Sequence, residues 1–203
     1  MLPKRQLSGS SCLAREGCRI GHEEAALPDL SELARLFNGL LMSFMGADIS
    51  EEEYQAVAMK GGAREAKADE LDRGSLAMSH RDWIRLDRER LGIAVRWRHV
   101  FENWDVVLCP IAPVTAFPHD ERPFDERRVS VDGEKLPYGL LPLWTSIGTP
   151  TGQPATAIPI GRDAAGLPIG VQALGPRFED RTPLAFAALV EEAFGGFSPP
   201  EGY

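Results

Sequence analysis

Two apolar runs decide the fold of this chain: Gln153-Pro-Ala-Thr-Ala-Ile-Pro-Ile-Gly161 and Gly166-Leu-Pro-Ile-Gly-Val-Gln-Ala-Leu-Gly175. Both contain β-branched residues and are bounded by Gly and Pro, which predicts two strands. The five-residue connection Arg162 to Gly166 has the length of an ordinary hairpin loop. Neither run alternates cleanly between polar and apolar residues, so we expect both faces to be covered. The pattern predicts a central strand pair in a layered α/β protein.

Two long amphipathic helices are predicted upstream. Asp29 can cap the first, with Glu32 as its capping-box partner, and its apolar stripe comprises Leu30, Leu33, Leu36, Phe37, Leu40, Leu41 and Phe44. Ser79 can cap the second, followed by Asp82, and its stripe comprises Trp83, Leu86, Ala94, Trp97, Phe101 and Trp104. An aromatic stripe at this spacing is typical of core packing rather than of a cofactor site.

Three further elements complete the predicted fold. The apolar residues from Asp105 to Ile111 indicate a strand, in which Cys109 is expected to be a small buried hydrophobe. Asp132-Gly133 between short strands predicts a hairpin with a type I′ turn. A last helix is predicted with Thr182 as its cap, Pro183 at the first helical position and Gly195 as its end.

Composition excludes several classes of function. The chain has 203 residues and a net charge of -8 with no long basic run, so nucleic acid is not an expected ligand. Its apolar runs are shorter than the roughly 18 to 20 residues of a membrane span, so no membrane association is expected. The N-terminus shows no apolar core of a signal peptide, so the expected location is the cytoplasm. The three cysteines lack paired spacing, which favours reduced thiols. We expect a flexible lead-in over residues 1–13 and one domain over 14–203.

Four segments together resemble the closing part of amidase-signature hydrolases. They are Ser79-His-Arg-Asp-Trp-Ile, Phe101-Glu-Asn-Trp-Asp-Val-Val-Leu-Cys-Pro, Gly152-Gln-Pro-Ala-Thr-Ala-Ile-Pro-Ile-Gly, and Gly166-Leu-Pro-Ile-Gly-Val-Gln. Asp180 and the helix that follows resemble the family's terminal helix. The resemblance extends from about Glu16 to the C-terminus. It implies an α/β fold in which this chain is the C-terminal part of the family's mixed β-sheet, flanked by helices.

The same resemblance implies where the chemistry of the family resides. Amidase-signature enzymes cleave carboxamide C–N bonds with a serine nucleophile, a bridging serine and a lysine base, all on a Gly/Ser-rich stretch upstream of the segment seen here. Ser8-Gly-Ser-Ser11 lacks the flanking glycines and a lysine at the family's separation, so we interpret it as a flexible lead-in. No catalytic residue is assigned in this sequence.

No cofactor or metal site is expected either. The histidines His22, His80, His99 and His119 are scattered, and none of them is at the i, i+4 spacing of a metal site. Gly166-Leu-Pro-Ile-Gly170 lacks the residues of a phosphate-binding loop. Gly170 instead indicates close approach of another backbone within a strand.

One substrate-binding segment follows from the resemblance. The residues before the Pro154-Ala155 strand would line the acyl side of the substrate cavity, which implies substrate contacts for Trp144, Thr145, Ser146 and Ile147. An aromatic and an isoleucine suit an apolar pocket. The alternative is that Trp144 belongs to the core.

Three hypotheses for function follow. The first is the C-terminal portion of an amidase-family hydrolase, inactive alone and able to take a small amide substrate only with the N-terminal half supplied. The second is a non-enzymatic interaction module that self-associates through an exposed sheet edge. The third is a fragment of an A-type subunit of a tRNA amidotransferase.

Overall fold

The computed structural model describes residues 13, 17–21, 27–60 and 73–199. The described helices are α1 (Leu30–Met45), α2 (Glu51–Met59), α3 (His80–Phe101) and α4 (Arg181–Phe194). The described strands are β1 (Val107–Pro110), β2 (Arg128–Val131), β3 (Glu134–Pro137), β4 (Ala155–Arg162) and β5 (Pro168–Leu174). The α/β fold class predicted from the sequence is confirmed. Residues 1–12 of the expected lead-in lie outside the described residues, as does the serine-containing stretch 8–11.

The two runs that decide the fold form an antiparallel hairpin, β4 and β5. β1 pairs antiparallel with the other side of β5, which gives a three-stranded sheet in the order β1-β5-β4. The register places Thr156 opposite Ala173 and Ile158 opposite Val171. The connection is residues 163–167, one position later than predicted.

The expectation that both strands are central and covered is wrong for β4. In the described part of the chain β4 is an edge strand, and all of its residues except Thr156 and Ile158 are exposed. The four C-terminal residues of β5, Val171 to Leu174, are buried on both faces. For β5, the lack of alternation between polar and apolar residues therefore correctly predicted a strand that is covered on both faces. In β4 the same pattern reflects exposed apolar residues along an unpaired edge.

Gly170 confirms the predicted close approach within a strand. A Cβ atom at this position would lie 2.8 Å from Cδ1 of Ile111 and 3.2 Å from the carbonyl oxygen of Ile158. Both distances are shorter than ordinary contacts, so a side chain at residue 170 would require the Ile111 side chain to move and would crowd the backbone of β4.

The second predicted hairpin is also present. β2 and β3 pair antiparallel, with Val131 opposite Glu134. The turn residues Asp132 and Gly133 have φ angles of 49° and 89°. Positive φ at both positions is the signature of the type I′ turn.

The caps of the two long helices are confirmed. Asp29 accepts the backbone N–H of Glu32 at 2.9 Å, and Ser79 accepts that of Asp82 at 3.1 Å. Glu32 pairs with Arg96 of α3 at 2.7 Å, so its carboxylate links the two helices. Two stripe predictions are wrong: the side chains of Phe44 and Trp83 are exposed by 74% and 38%. Phe44 lies in the last turn of α1, and Trp83 lies in the first turn of α3.

The last helix begins earlier than predicted. α4 starts at Arg181, so Thr182 and Pro183 lie within its first turn and Thr182 is not the cap. The backbone N–H of Thr182 already bonds to the carbonyl of Glu179 at 2.9 Å, so the turn forms upstream of the Thr-Pro pair. The predicted end is confirmed, because Gly195 has a φ of 83° and its N–H bonds to the carbonyl of Glu191.

Two clusters of buried residues lie on opposite faces of the sheet. Alternate positions of β5 explain the division, since Leu174 belongs to the first cluster while Val171 and Ala173 belong to the second. The first cluster joins α1, α3 and β1 and includes Leu36, Ile93, Trp97, Val100 and Cys109. The second joins the sheet to α4 through Val190 and also contains Leu13. The three-stranded sheet is therefore covered by helices on both faces.

Candidate functional site

The four residues predicted to bind substrate follow a 3₁₀ helix, Tyr138–Leu143, on the face of the sheet covered by α1 and α3. Ile147 is a member of the first core cluster, and the half-buried Trp144 packs against that cluster. Ser146 is 1% exposed, whereas Thr145 is exposed. The segment therefore offers Thr145 and part of Trp144 to the solvent. A substrate-contacting role for these residues stays a prediction.

The hydroxyl groups of this segment are used for local hydrogen bonds. Ser146 Oγ donates to the carbonyl of Leu143 at 2.5 Å, and Thr145 Oγ1 donates to the carbonyl of Pro142 at 2.7 Å. Thr149 Oγ1 donates in turn to the carbonyl of Thr145 at 2.7 Å. Each hydroxyl proton is thus committed to a carbonyl three or four residues upstream. These bonds rigidify the segment, and among the described residues Ser146 has no basic partner of the kind that a nucleophile requires.

Gln172 ties the segment to the sheet. Its Nε2 donates to the carbonyls of Pro110 at 2.9 Å and Trp144 at 2.8 Å, which satisfies both amide protons. The side chain is buried on the face of β5 that carries the first core cluster. Gln172 is the glutamine of the Gly-Val-Gln motif that resembles the amidase-signature family. In this structure it positions Trp144.

An open cleft of about 380 Å³ lies beside the β2–β3 hairpin. It is lined by residues 114–120 of the loop after β1, by residues 128–130 of β2, and by Tyr138. The ring of Tyr138 makes edge-to-face contacts with Phe117 at 6.2 Å and Phe124 at 5.4 Å between centroids. The cleft is thus walled on one side by aromatic rings and on the other by β2.

The charges in the cleft are unequally compensated. Asp120 is held by Arg122 through two side-chain bonds of 2.9 and 2.6 Å, and these bonds lower the pKa of Asp120 to about 2. Arg128 donates through Nη1 to the carbonyls of Asp125 and Arg127, at 2.7 and 2.8 Å. It forms no ion pair with any described carboxylate, so its charge is the uncompensated one.

Asp163 fixes the loop that forms one side of the cleft. Its carboxylate accepts the backbone N–H of Leu167 at 2.9 Å, the hydroxyl of Thr115 at 3.0 Å and the N–H of Ala165 at 2.8 Å. These bonds, that of Leu167 first, lower the pKa of Asp163. The turn between β4 and β5 is thereby attached to the loop after β1.

Cys109, metal-ligating side chains and long apolar helices were the other features that the sequence raised. Burial raises the pKa of Cys109 to about 12, which confirms this cysteine as a buried apolar residue. No cluster of three or more metal-ligating side chains occurs within the described ranges. In the same ranges, no helix has both the length and the hydropathy needed to cross a bilayer.

Sequence reasoning missed the cleft and Gln172. His119 and Asp120 are adjacent in the sequence, but the sequence does not show that the hairpin folds against them. The sequence feature that could have indicated the cleft was the presence of Arg128 and Tyr138 in the hairpin segment. These two residues alone do not distinguish a ligand-binding cleft from a solvated hairpin.

The segments that resemble amidase-signature hydrolases can now be compared with known proteins. A family model described as Amidase matches residues 11–184. The chain therefore belongs to the amidase family.

Individual relatives are more distant. The A subunit of glutamyl-tRNA(Gln) amidotransferase from Gluconobacter oxydans (strain 621H) is 32% identical over 111 residues, which are 55% of this chain and 21% of that protein. The solved structure of the corresponding protein from Thermotoga maritima is 27% identical, with a TM-score of 0.51, over 64% of this chain and 27% of that chain. These matches cover well under half of either relative.

Two further solved structures share the fold. One is described as an amidase and has a TM-score of 0.59 at 19% identity, over 82% of this chain and 36% of its own. A 6-aminohexanoate cyclic dimer hydrolase complexed with substrate has a TM-score of 0.56 at 20% identity, over 91% and 39%. At such identities the likeness concerns the fold alone.

Proposed function

We propose that this chain forms the C-terminal portion of a hydrolase that cleaves carboxamide C–N bonds, and that it does not catalyse the reaction alone. The match to the Amidase family over residues 11–184 carries the first part of the proposal. Several structural neighbours are themselves described as amidases or hydrolases. We also propose a cytoplasmic location, because the cysteine spacing suits a reducing compartment.

The second part rests on the chemistry that amide hydrolysis requires. A serine hydroxyl needs a base within hydrogen-bonding distance, and the developing oxyanion needs fixed donors. Lys60 and Lys135 are the lysines of the described ranges, and neither side chain has a hydrogen-bond partner there. Lys135 lies opposite Ser130 across the β2–β3 hairpin, but both side chains are exposed. Their exposure leaves the serine without a preorganised base.

We further propose that Trp144 and Thr145 form part of the substrate-facing wall in the complete enzyme. Two observations support this role. Gln172 donates a hydrogen bond to the backbone carbonyl of Trp144, and the Trp144 side chain packs against the first core cluster. Thr145 is the exposed member of the segment. In this interpretation Ser146 and Ile147 support the wall without touching the substrate.

A labelling experiment tests the absence of catalysis. The purified 203-residue chain is incubated with aryl and aliphatic amides and, separately, with a fluorophosphonate probe for activated serines. We expect neither turnover nor stoichiometric labelling. Turnover that survives in the Ser130→Ala and Ser146→Ala variants would place the nucleophile elsewhere in this chain and overturn the proposal. Turnover lost only in Ser130→Ala would overturn it as well and would assign Ser130 and Lys135 as the reacting pair.

A second candidate function is an interaction module that self-associates through the sheet edge. The supporting observation is the side of β4 that pairs with no described strand, where Ala155, Ala157 and Ile160 are exposed. An exposed strand edge is a template for pairing with another chain. Light scattering should show concentration-dependent dimers that an Ile160→Lys substitution disperses. A monodisperse monomer at high concentration would exclude this function.

A third candidate is a fragment of an A-type tRNA amidotransferase subunit, which the 32% identity to such a protein favours. An in-frame Gly/Ser-rich segment preceded by a lysine in the genomic DNA upstream of the Met1 codon would fit both this candidate and a general amidase, so it does not separate them. Association of the completed protein with other amidotransferase subunits would favour the third.

A further inference from the structure

We propose that the cleft beside the β2–β3 hairpin binds a small aromatic carboxylate, with Arg128 taking the carboxylate and Tyr138 contacting the ring. This site is distinct from the wall at Trp144 and Thr145. The proposal depends on the cleft alone and therefore stands whether or not the chain takes part in amide hydrolysis.

The size of the cleft sets the size of the ligand. Its volume of about 380 Å³ is near the lower end of the roughly 300 to 1,000 Å³ typical of small-molecule sites. A compound of one ring with one polar substituent suits this volume. The cleft is open on one side, so the ligand can enter without movement of β2.

The aromatic side of the cleft is preorganised. Tyr138 is held edge-to-face by Phe117 and Phe124, and the guanidinium carbon of Arg127 lies 5.6 Å from its ring centroid. A ring fixed on several sides loses little rotamer freedom when a ligand packs against it. The exposed part of Phe117 adds a second aromatic surface, and offset or edge-to-face contacts with a ligand ring are favourable.

The polar side of the cleft favours an anion over a cation. The carboxylate of Asp120 is already paired with Arg122, which makes it a weaker counterion for a cationic ligand than an unpaired carboxylate would be. Arg128 uses Nη1 for two backbone carbonyls, while its Nε and Nη2 groups have no partner among the described residues. The hydroxyl of Ser130 and the imidazole of His119 are likewise without partners in those ranges.

The anchoring of Arg128 makes it a directional donor. The two bonds from Nη1 hold one end of the guanidinium group, which leaves the Nε and Nη2 groups for a carboxylate. Arginine and carboxylate groups fit together through parallel N–H···O bonds. Asp125 contributes only its backbone carbonyl to this arrangement, and no carboxylate lies within ion-pair distance of Arg128 in the described residues.

The site is tested by adding ligand to the full chain and recording ¹H–¹⁵N spectra at each ligand concentration. Sodium benzoate should shift the resonances of the Arg128 side chain and of Ser130 with a saturable, single-site dependence. Benzamide keeps the ring and shape but lacks the charge, and cyclohexanecarboxylate keeps the charge but lacks the aromatic face. We expect each to bind at least tenfold more weakly than benzoate. Equal binding of benzoate and benzamide, or no saturable shift, would overturn the proposal.

Matched variants locate the bound molecule. Arg128→Gln should weaken benzoate binding at least tenfold, whereas Arg177→Gln should leave it unchanged. Arg177 is a suitable control because it also lies over an aromatic ring, that of Phe178 at 4.6 Å, but does not line the cleft. Because Arg128 also supports two carbonyls, the cleft-filling variant Ser130→Phe provides an independent test. Full affinity in either folded variant would show that benzoate binds elsewhere.

Discussion

The wall segment, residues 144–147, and the cleft beside the β2–β3 hairpin differ in how their polar groups are used. In the wall segment, each side-chain hydroxyl donates to a carbonyl of the preceding turn. In the cleft, Arg128, Ser130 and His119 retain polar groups with no partner among the described residues. The segment to which the family resemblance pointed is therefore well packed. The polar groups that have no partner among the described residues lie instead in a hairpin and a loop whose sequence is ordinary.

This difference follows from where each segment lies relative to the sheet. The wall segment packs against the cluster formed by α1, α3 and β5, so buried polar groups must find partners. The cleft residues lie beside a two-stranded hairpin, and no described residue forms a second layer over its exposed positions. Polar groups at such positions can be hydrated, and a ligand can replace the water.

The largest effect on the free energy of unfolding is expected in the core cluster that supports the wall segment. Trp97 is 1% exposed and belongs to the same cluster as Ile147. Trp97→Ala should lower the free energy of unfolding by about 3 to 5 kcal/mol, because it removes a large buried side chain and leaves a cavity. Urea denaturation of the purified chain measures this change.

The matched control for Trp97→Ala is Trp97→Phe. The indole Nε1 is buried without a hydrogen-bond partner in the described residues, so phenylalanine loses no bond there. We expect Trp97→Phe to cost clearly less than Trp97→Ala, because phenylalanine leaves a smaller cavity. Equal costs for the two variants would show that Trp97 is not packed as described.

Gln172 gives the next largest effect, since it joins the wall segment to the sheet. Gln172→Leu keeps the volume but removes the donor shared by the carbonyls of Pro110 and Trp144. We expect a loss of about 1 to 3 kcal/mol in the free energy of unfolding. Gln55→Leu on the surface of α2 is the control and should change it by less than about 0.5 kcal/mol. A similar result for both variants would mean that Gln172 does not hold the segment.

The sequence predicted the elements whose signals are local. Asp29 and Ser79 as caps, Asp132-Gly133 as a turn and the paired runs around Gly166 all depend on residues within a few positions of each other. The exposure of β4 was not predictable, because it depends on which strands lie beside the sheet. The start of α4 was misplaced because the bond from Thr182 to Glu179 forms upstream of the Thr-Pro signal.

The candidate site was less predictable than the fold. Resemblance pointed to residues 144–147, but the division into buried Ser146 and exposed Thr145 follows from a 3₁₀ turn that the apolar pattern does not reveal. The role of Gln172 depends on a contact between residues 28 positions apart in the chain. The cleft forms only because the loop after β1 lies against the β2–β3 hairpin. The periodicity of apolar residues does not predict such a contact.

A smaller effect is expected within the wall segment itself. Ser146→Ala removes the buried bond to the carbonyl of Leu143 and should cost about 1 kcal/mol in the free energy of unfolding. Thr145→Ala removes a comparable bond at an exposed position, where water can replace it, and should cost less. The two variants are compared by thermal and urea denaturation. The reverse order of costs would contradict the burial that separates these neighbours.

The smallest effect concerns the loop of the cleft. Asp163 accepts three hydrogen bonds that lower its pKa in the folded state, so the ionised carboxylate stabilises the fold above its unfolded pKa of about 3.9. Asp163→Asn should therefore lower the melting temperature slightly near pH 7, where asparagine can still accept from the N–H of Leu167 but carries no charge.

The pH dependence of this difference distinguishes charge from shape. The gap between wild type and Asp163→Asn should be constant from pH 7 to 5 and should shrink as the pH falls from about 4 through the lowered folded pKa, because the wild-type carboxylate then becomes protonated. Thr115→Val, which removes one of the donors, should reproduce part of the loss near neutral pH. A gap that widens on acidification would show that Asp163 is not stabilised as a carboxylate and that the loop of the cleft is held by other contacts.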